Sequence, residues 1–260
     1  MITSTSNAQI KQVIALLKKS KERKAQKVFV IEGRKMFEEI CQDTSRVVKA
    51  YFAESYVKEQ YADKDFPKVP YEIVADEVFE AMAETVTPQG VLAVVRMPEY
   101  SLKAMLEAAG TLVLLEDLRD PGNLGTIIRT AEAAGVSGVL LSRESVDIYN
   151  PKVIRSTMGA VYRVPFLYVE DFRELLRELR AKEVRLLAAH LQGIKTFDRA
   201  DYSGKVGILI GNEANGLSEE ASELANEKVL IPMAGSVESL NAAVAAALLM
   251  YEAFRKQKLS

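Results

Sequence analysis

From residue 111 onward, short apolar runs alternate with helix-like stretches almost without interruption. "TLVLLE", "GVLLS", "VYRVPFLYV", "VRLLAAHL", "VGILIG" and "KVLIPM" read as strands. "NLGTIIRTAEAAG", "PKVIRSTMGA", "EDFRELLRELRAKE", "SEEASELAN" and "SLNAAVAAALLMYEAFRKQK" read as helices. A run such as Thr111 to Leu115 lacks the apolar–polar alternation of a sheet with one wet face; it suits a parallel strand covered on both sides. The pattern predicts an α/β domain with a mostly parallel, doubly wound sheet. Ligands of such sheets bind beyond the carboxyl ends of the strands. That directs attention to the segments after Glu116, Ile210 and Ile231.

The first hundred residues predict a smaller α/β domain. "SNAQIKQVIALLKKS" places Ile10, Val13, Ile14 and Leu17 at helical spacing. "KVFVIEG", "VVKAYFAE", "YEIVA" and "GVLAVVR" read as strands, "RKMFEEICQ" and "DEVFEAMAE" as helices. Pro98 in "MPEYS" marks a linker. The expected division is 1–98, a connecting segment 99–110, and 111–260.

With a single cysteine, Cys41, and a single histidine, His190, neither a disulfide framework nor a Cys/His zinc site can form. No metal is expected. "MITSTSNAQIKQ" lacks the apolar core of a signal peptide, and "AAVAAALLM" is too short to span a bilayer. A cytoplasmic, reduced setting and no membrane contact are expected. The net charge of -2 does not announce nucleic acid, but cations crowd the first 35 residues: Lys11, Lys18, Lys19, Lys21, Arg23, Lys24, Lys27, Arg34 and Lys35, opposed only by Glu22 and Glu32. On charge alone a solvated helix face is favoured over a phosphate-contacting patch.

"VGILIGNEANGLS" approximates a phosphate-binding P-loop, G-x-x-x-x-G-K-[ST]. Leu217 stands where the lysine belongs, and Glu219, Glu220 and Glu223 follow. Without the cation that meets phosphates, and with carboxylates that repel them, this loop serves a ligand that carries no phosphate there. "DPGN", Asp120 to Asn123, is turn chemistry, with Asn123 a candidate N-cap. Arg129 lies six residues on; alone it reads as a surface arginine. His190 closes an apolar strand, where a lone histidine is more often structural than a base. Ser239 or Asn241 caps the last helix, whose Ala242, Ala243, Ala245, Ala246 and Ala247 permit close approach of another backbone, within the fold or across a subunit interface. No G-x-G-x-x-G occurs, against a common dinucleotide site.

Together, "NLGTIIRTAEAAG", "IGNEANGLS" and "IPMAGSVESLNAAVAAA", in this order, resemble the three motifs of the SpoU (TrmH) family of RNA ribose 2'-O-methyltransferases, within the SPOUT superfamily. "RSTMGAVYRVPF" resembles a fourth block. The resemblance covers roughly 111–254. "KVFVIEGRKMFEEI" is similar to the L30e-like substrate-binding domain that many members carry.

The resemblance implies a deep trefoil knot and S-adenosyl-L-methionine held bent between three loops. It implies cofactor contacts by Ala189, His190, Leu191, Gly211, Asn212, Ile231, Met233, Ser239 and Leu240, with the main chain at Gly211, Ile231 and Leu240 holding the adenine and methionine ends. It implies a catalytic role for Arg129, helped by Asn123, Glu213, Ser239 and Asn241. Because guanidinium stays protonated, Arg129 is expected to bind phosphate and stabilise the developing alkoxide rather than act as a base. The resemblance also raises the RNA reading of the basic arm, with Lys18, Lys19, Lys21, Arg23, Lys24 and Arg34 as contacts, and implies a homodimer through the catalytic domain.

The expected substrate is rRNA, 23S rRNA foremost, by analogy with the L30e-like domain. The alternatives are a tRNA ribose methyltransferase, a SPOUT enzyme methylating a base, and a non-catalytic RNA-binding protein that keeps the fold. The N-x-G-x-x-x-R block from Asn123 favours ribose; an intact Arg129 and GNE loop favour catalysis.

Overall fold

A computed structural model describes residues 1–62, 65–108 and 110–259; position 109 of the expected connecting segment lies outside the described residues. Two compact units result. One is Met1–Glu99 with Asp147–Tyr162; the other is Tyr100–Val146 with Arg163–Ser260.

The chain begins α1 (Ala8–Lys18), α2 (Ser20–Gln26), β1 (Val28–Glu32), α3 (Arg34–Ile40), β2 (Val47–Ala53), α4 (Glu54–Gln60), β3 (Tyr71–Val74), α5 (Asp76–Met82) and β4 (Val91–Arg96). It continues α6 (Leu102–Glu107), β5 (Thr111–Leu115), α7 (Pro121–Ala133), β6 (Gly138–Ser142), α8 (Pro151–Thr157), β7 (Phe166–Val169), α9 (Phe172–Ala181), β8 (Arg185–Ala189), β9 (Lys195–Thr196), β10 (Val206–Ile210), α10 (Glu219–Leu224), β11 (Glu227–Leu230) and α11 (Ala242–Lys258).

In the first unit a four-stranded sheet runs β1-β4-β2-β3, with β4 antiparallel to both neighbours and β2 parallel to β3. The side chain of Asn7 accepts from the Gln9 N–H at 2.8 Å and starts α1. The spacing read from the sequence buries Ile10, Val13 and Leu17, joined by Leu16. Segment 147–162 packs here: the rings of Tyr149 and Phe29 lie 4.7 Å apart, and the Tyr162 hydroxyl donates to the Met36 carbonyl at 3.3 Å.

The structure corrects one expected RNA contact. Arg23 is buried. Its guanidinium donates to the carbonyls of Leu16 and Leu17 at 2.7 and 3.0 Å, and to Asp147 at 2.5 Å. Those carbonyls end α1 and have no intrahelical partners. The arginine satisfies them and turns the chain into α2, so it cannot reach RNA. Lys18, Lys19, Lys21 and Lys24 remain exposed. Arg34 is exposed and pairs with Glu38, one helical turn on.

In the second unit seven parallel strands run β7-β6-β5-β10-β8-β11-β9. Leu112 to Leu115 and Ile208 are fully buried, as a two-side-covered sheet requires. Helix α11 packs on α7, β5 and β10, with Ala243 and Ala246 at the buried face. Residues 161–169 do not form one strand. A 3-10 turn occupies Ala160–Tyr162, and Pro165, which has no N–H to give a ladder, precedes the short β7. The order places β5 beside β10, so the segments after β5, β8, β10 and β11 meet at one edge of the sheet.

Candidate active site

At that edge lies a cleft of about 380 Å³. The segment after β8 contributes Ala189 to Gln192, the segment after β10 contributes Gly211 to Leu217, and the segment after β11 contributes Ile231 and Met233 with Glu238 to Leu240. All nine residues expected to hold cofactor line it: Ala189, His190, Leu191, Gly211, Asn212, Ile231, Met233, Ser239 and Leu240.

Close backbone approach explains the glycine that opens the loop after β10. A Cβ on Gly211 would lie 2.1 Å from both the Gly216 carbonyl carbon and the Leu217 nitrogen. Residues 212–216 fold straight back: Asn212 N–H donates to Gly216 O at 3.0 Å, and Gly216 N–H to Asn212 O at 2.9 Å. The turn needs Gly216 at φ +69, a region that other residues seldom enter. The Asn212 side chain accepts from Ala214 N–H at 2.9 Å and donates to Asp117 O at 2.8 Å.

Three motifs distant in sequence meet through side chains. Asn241 Nδ2 donates to Asn123 Oδ1 at 2.9 Å, and Asn123 Nδ2 donates to Glu213 Oε1 at 2.9 Å. Glu213 also accepts from the N–H groups of Asp120 at 2.9 Å and Arg119 at 3.1 Å. Burial raises the Glu213 pKa, but the bonds from Asn123, Arg119 and Asp120 outweigh it and hold the carboxyl below its ordinary value. A carboxylate so engaged anchors; it is not poised to take a proton.

The structure also corrects the expected N-cap of α7. Asp120 caps it, accepting from Asn123 N–H at 2.7 Å, with Pro121 in the first turn. Asn123 sits inside the helix, which frees its side chain to bridge. At α11 the cap is Asn241, accepting from Ala243 and Val244 N–H at 2.9 and 3.3 Å.

His190 Nδ1 accepts from Gln192 N–H at 3.0 Å, so its proton is on Nε2. Burial, then the charge of Lys228, lowers its pKa, and the ring is a neutral donor rather than a base. Arg129 is exposed, does not line the cleft and has no ion pair or hydrogen-bond partner among the described residues. Among the lining residues that sequence reasoning missed are Gln192, Leu217 and Glu238. Leu217 and Glu238 stand inside the quoted loops; Gln192 follows His190 and Leu191, where nothing but adjacency signals it.

A family model described as the SpoU rRNA methylase family matches residues 110–251, and one described as an MRM3-like substrate-binding domain matches residues 7–93. The chain belongs to the SpoU rRNA methylase family. A Bacillus subtilis relative named 23S rRNA (guanosine(2553)-2'-O)-methyltransferase RlmP is 33% identical, over 96% of this chain and 97% of that protein. An AdoMet-bound rRNA methyltransferase from Sinorhizobium meliloti superposes with a TM-score of 0.84 at 32% identity, covering 100% of this chain and 98% of that one. The SpoU methyltransferase AviRb from Streptomyces viridochromogenes, in complex with AdoMet, gives 0.84 at 28% identity, covering 98% and 100%.

The residues present fit the SpoU cofactor, S-adenosylmethionine. Glu213 and Glu238 line the cleft, and no lysine or arginine is among the described residues on its walls. That suits an adenosine whose charged groups are a sulfonium and an amino acid, with no phosphate. Among the described residues no three His, Cys, Asp or Glu side chains are grouped as a metal ion requires. None of the described helices is long and apolar enough to cross a membrane.

Proposed function

We propose that this protein methylates a ribose 2'-hydroxyl of 23S rRNA. The observation that carries the reading is the Asn241–Asn123–Glu213 chain beside a cleft with no lysine or arginine among the described residues that line it. The family match and the Bacillus subtilis relative, a 23S rRNA 2'-O-methyltransferase by name, support the substrate. A trefoil knot belongs to the same reading, as membership of the family implies.

S-adenosylmethionine supplies an already electrophilic methyl group, so the protein must align the hydroxyl and manage its proton. Glu213, with both oxygens engaged, fixes the loop after β10 against the start of α7. Asn123 and Asn241 hold α11 to that frame. Ser239 presents an exposed hydroxyl at the cleft to hydrogen-bond the ribose. Arg129 has no side-chain protein partner among the described residues. Its forked guanidinium binds the neighbouring phosphate and stabilises the alkoxide as it develops.

Residues 1–98 serve as the RNA-binding domain, 99–110 as the connection and 111–260 as the methyltransferase domain. Lys18, Lys19, Lys21 and Lys24 contact phosphates, and Arg34 adds a further cation. Val244, Leu248 and Tyr251 form an exposed apolar stripe at helical spacing on α11. This stripe makes the homodimer contact. The reaction needs no metal and takes place in the cytoplasm.

Mapping 2'-O-methyl groups across total RNA from cells with and without the protein tests the reading. One ribose methylation in 23S rRNA should disappear. Loss of a tRNA mark alone, or of none, contradicts it.

A further inference from the structure

The segment after β5 holds both ends of the loop after β10. Asp117 and Glu213 account for one end, as described. At the other end stands Glu116, to which neither the sequence motifs nor the mechanism gives a role. Its Oε2 accepts from Ser218 N–H at 2.7 Å and its Oε1 from the Ser218 hydroxyl at 2.7 Å. Both carboxylate oxygens therefore grip one residue. Ser218 is itself the cap of α10, its Oγ accepting from Ala221 N–H at 3.2 Å. The residues just before it, Gly216 and Leu217, are cleft wall, and Leu217 is buried in the core cluster beneath.

We propose that Glu116 is a positioning residue for cofactor binding: it sets the return arm of the loop, Gly216 to Ser218, at the distance from Gly211 that leaves the cleft open. The geometry that makes this necessary is the close approach at Gly211. Gly216 and Leu217 pass the end of β10 within contact distance, and a small rotation of Ser218 moves them into the cleft or away from it. The donors on Ser218 fix that rotation only if an acceptor with two oxygens stands opposite. Glu116 is placed to do so because its own N–H is fixed to Ile210 O at 2.9 Å, continuing the β5–β10 ladder. The brace thus ties the wall of the cleft to the two central strands. It acts through Ser218 and not by touching cofactor or RNA.

The inference rests on the cleft being the cofactor site, so calorimetry with S-adenosylmethionine on the full chain should include Gly211→Ala as its control. Undiminished affinity in Gly211→Ala would remove the cleft assignment itself. With that control in place, Glu116→Ala should raise the Kd about 10- to 100-fold, the range expected for losing hydrogen bonds to a charged group. RNA affinity should stay at the wild-type value. Glu116→Gln should bind within about threefold of wild type. Its carbonyl oxygen accepts the Ser218 N–H, and its amide donates to the hydroxyl. Ser218→Ala, which removes the hydroxyl's bond to Glu116 and its cap on α10 together, should weaken binding alone. The double variant Glu116→Ala/Ser218→Ala should be no worse than Glu116→Ala. Wild-type affinity in Glu116→Ala or Ser218→Ala, failure of glutamine to rescue, additive losses, or a parallel fall in RNA affinity would each overturn the proposal.

Discussion

Asn241 donates a hydrogen bond of 2.9 Å to Asn123 across 118 residues of sequence. The same Asn123 donates in turn to Glu213. One amide therefore reads both the helix that closes the chain and the loop after β10. Its orientation is fixed, because Glu213 can only accept. Asn123→Asp places a second carboxylate against Glu213, at the position of a 2.9 Å hydrogen bond. At neutral pH this variant should lose more activity and melt lower than Asn123→Ala, and it should recover as acid protonates the pair. Melting curves against pH check this.

Glu213 should not titrate in the working range. Its folded pKa lies below its ordinary value, so its contribution to stability is complete above the unfolded pKa and lost only as pH falls through the lower, folded one. A pH–rate profile between about pH 6 and 9 should keep its shape in Glu213→Gln, with the rate lowered throughout. A limb that vanishes in the variant makes Glu213 a base.

Gly211→Ala should weaken S-adenosylmethionine binding by about 5- to 150-fold, since overpacking a tight contact typically costs about 1–3 kcal/mol. The added methyl meets backbone, which cannot rotate away. Calorimetry measures the loss.

The basic arm divides into two kinds of cation. Replacing Lys18, Lys19, Lys21 and Lys24 with alanine should flatten the salt dependence of RNA binding, by roughly 0.7–0.9 in log–log slope per phosphate contact removed. Stability should hold. Arg23→Ala should destabilise by about 3 kcal/mol or more, because it removes the cationic partner of Asp147 from a largely buried pair. Denaturant melts and filter binding on both variants separate the effects.

The sequence made the second sheet legible because its strands are buried on both faces and leave unbroken apolar runs. The loops that line the cleft were legible through their resemblance to family motifs, and part of that signal is local: Gly211 and Gly216 are needed by backbone geometry within six residues. What the sequence hid was long-range. Nothing in the periodicity puts β10 beside β5, and without that order neither the Asn241–Asn123–Glu213 chain nor the Glu116–Ser218 grip follows. Arg23 misled because charge composition cannot tell a solvated arginine from one that caps a neighbouring helix. Lys195–Thr196 is too short for any period to reveal.

Arg129 tests the central claim most directly. Single-turnover transfer of labelled methyl from S-adenosylmethionine to rRNA, followed by alkaline hydrolysis, reports both rate and position, since a 2'-O-methyl ribose protects the adjoining phosphodiester. The wild-type protein should leave the label in an alkali-resistant dinucleotide. Arg129→Ala and Arg129→Lys should each slow transfer by about 10²–10³ or more, with cofactor affinity little changed. Label recovered on a base, or transfer by Arg129→Ala at the wild-type rate, would contradict the account.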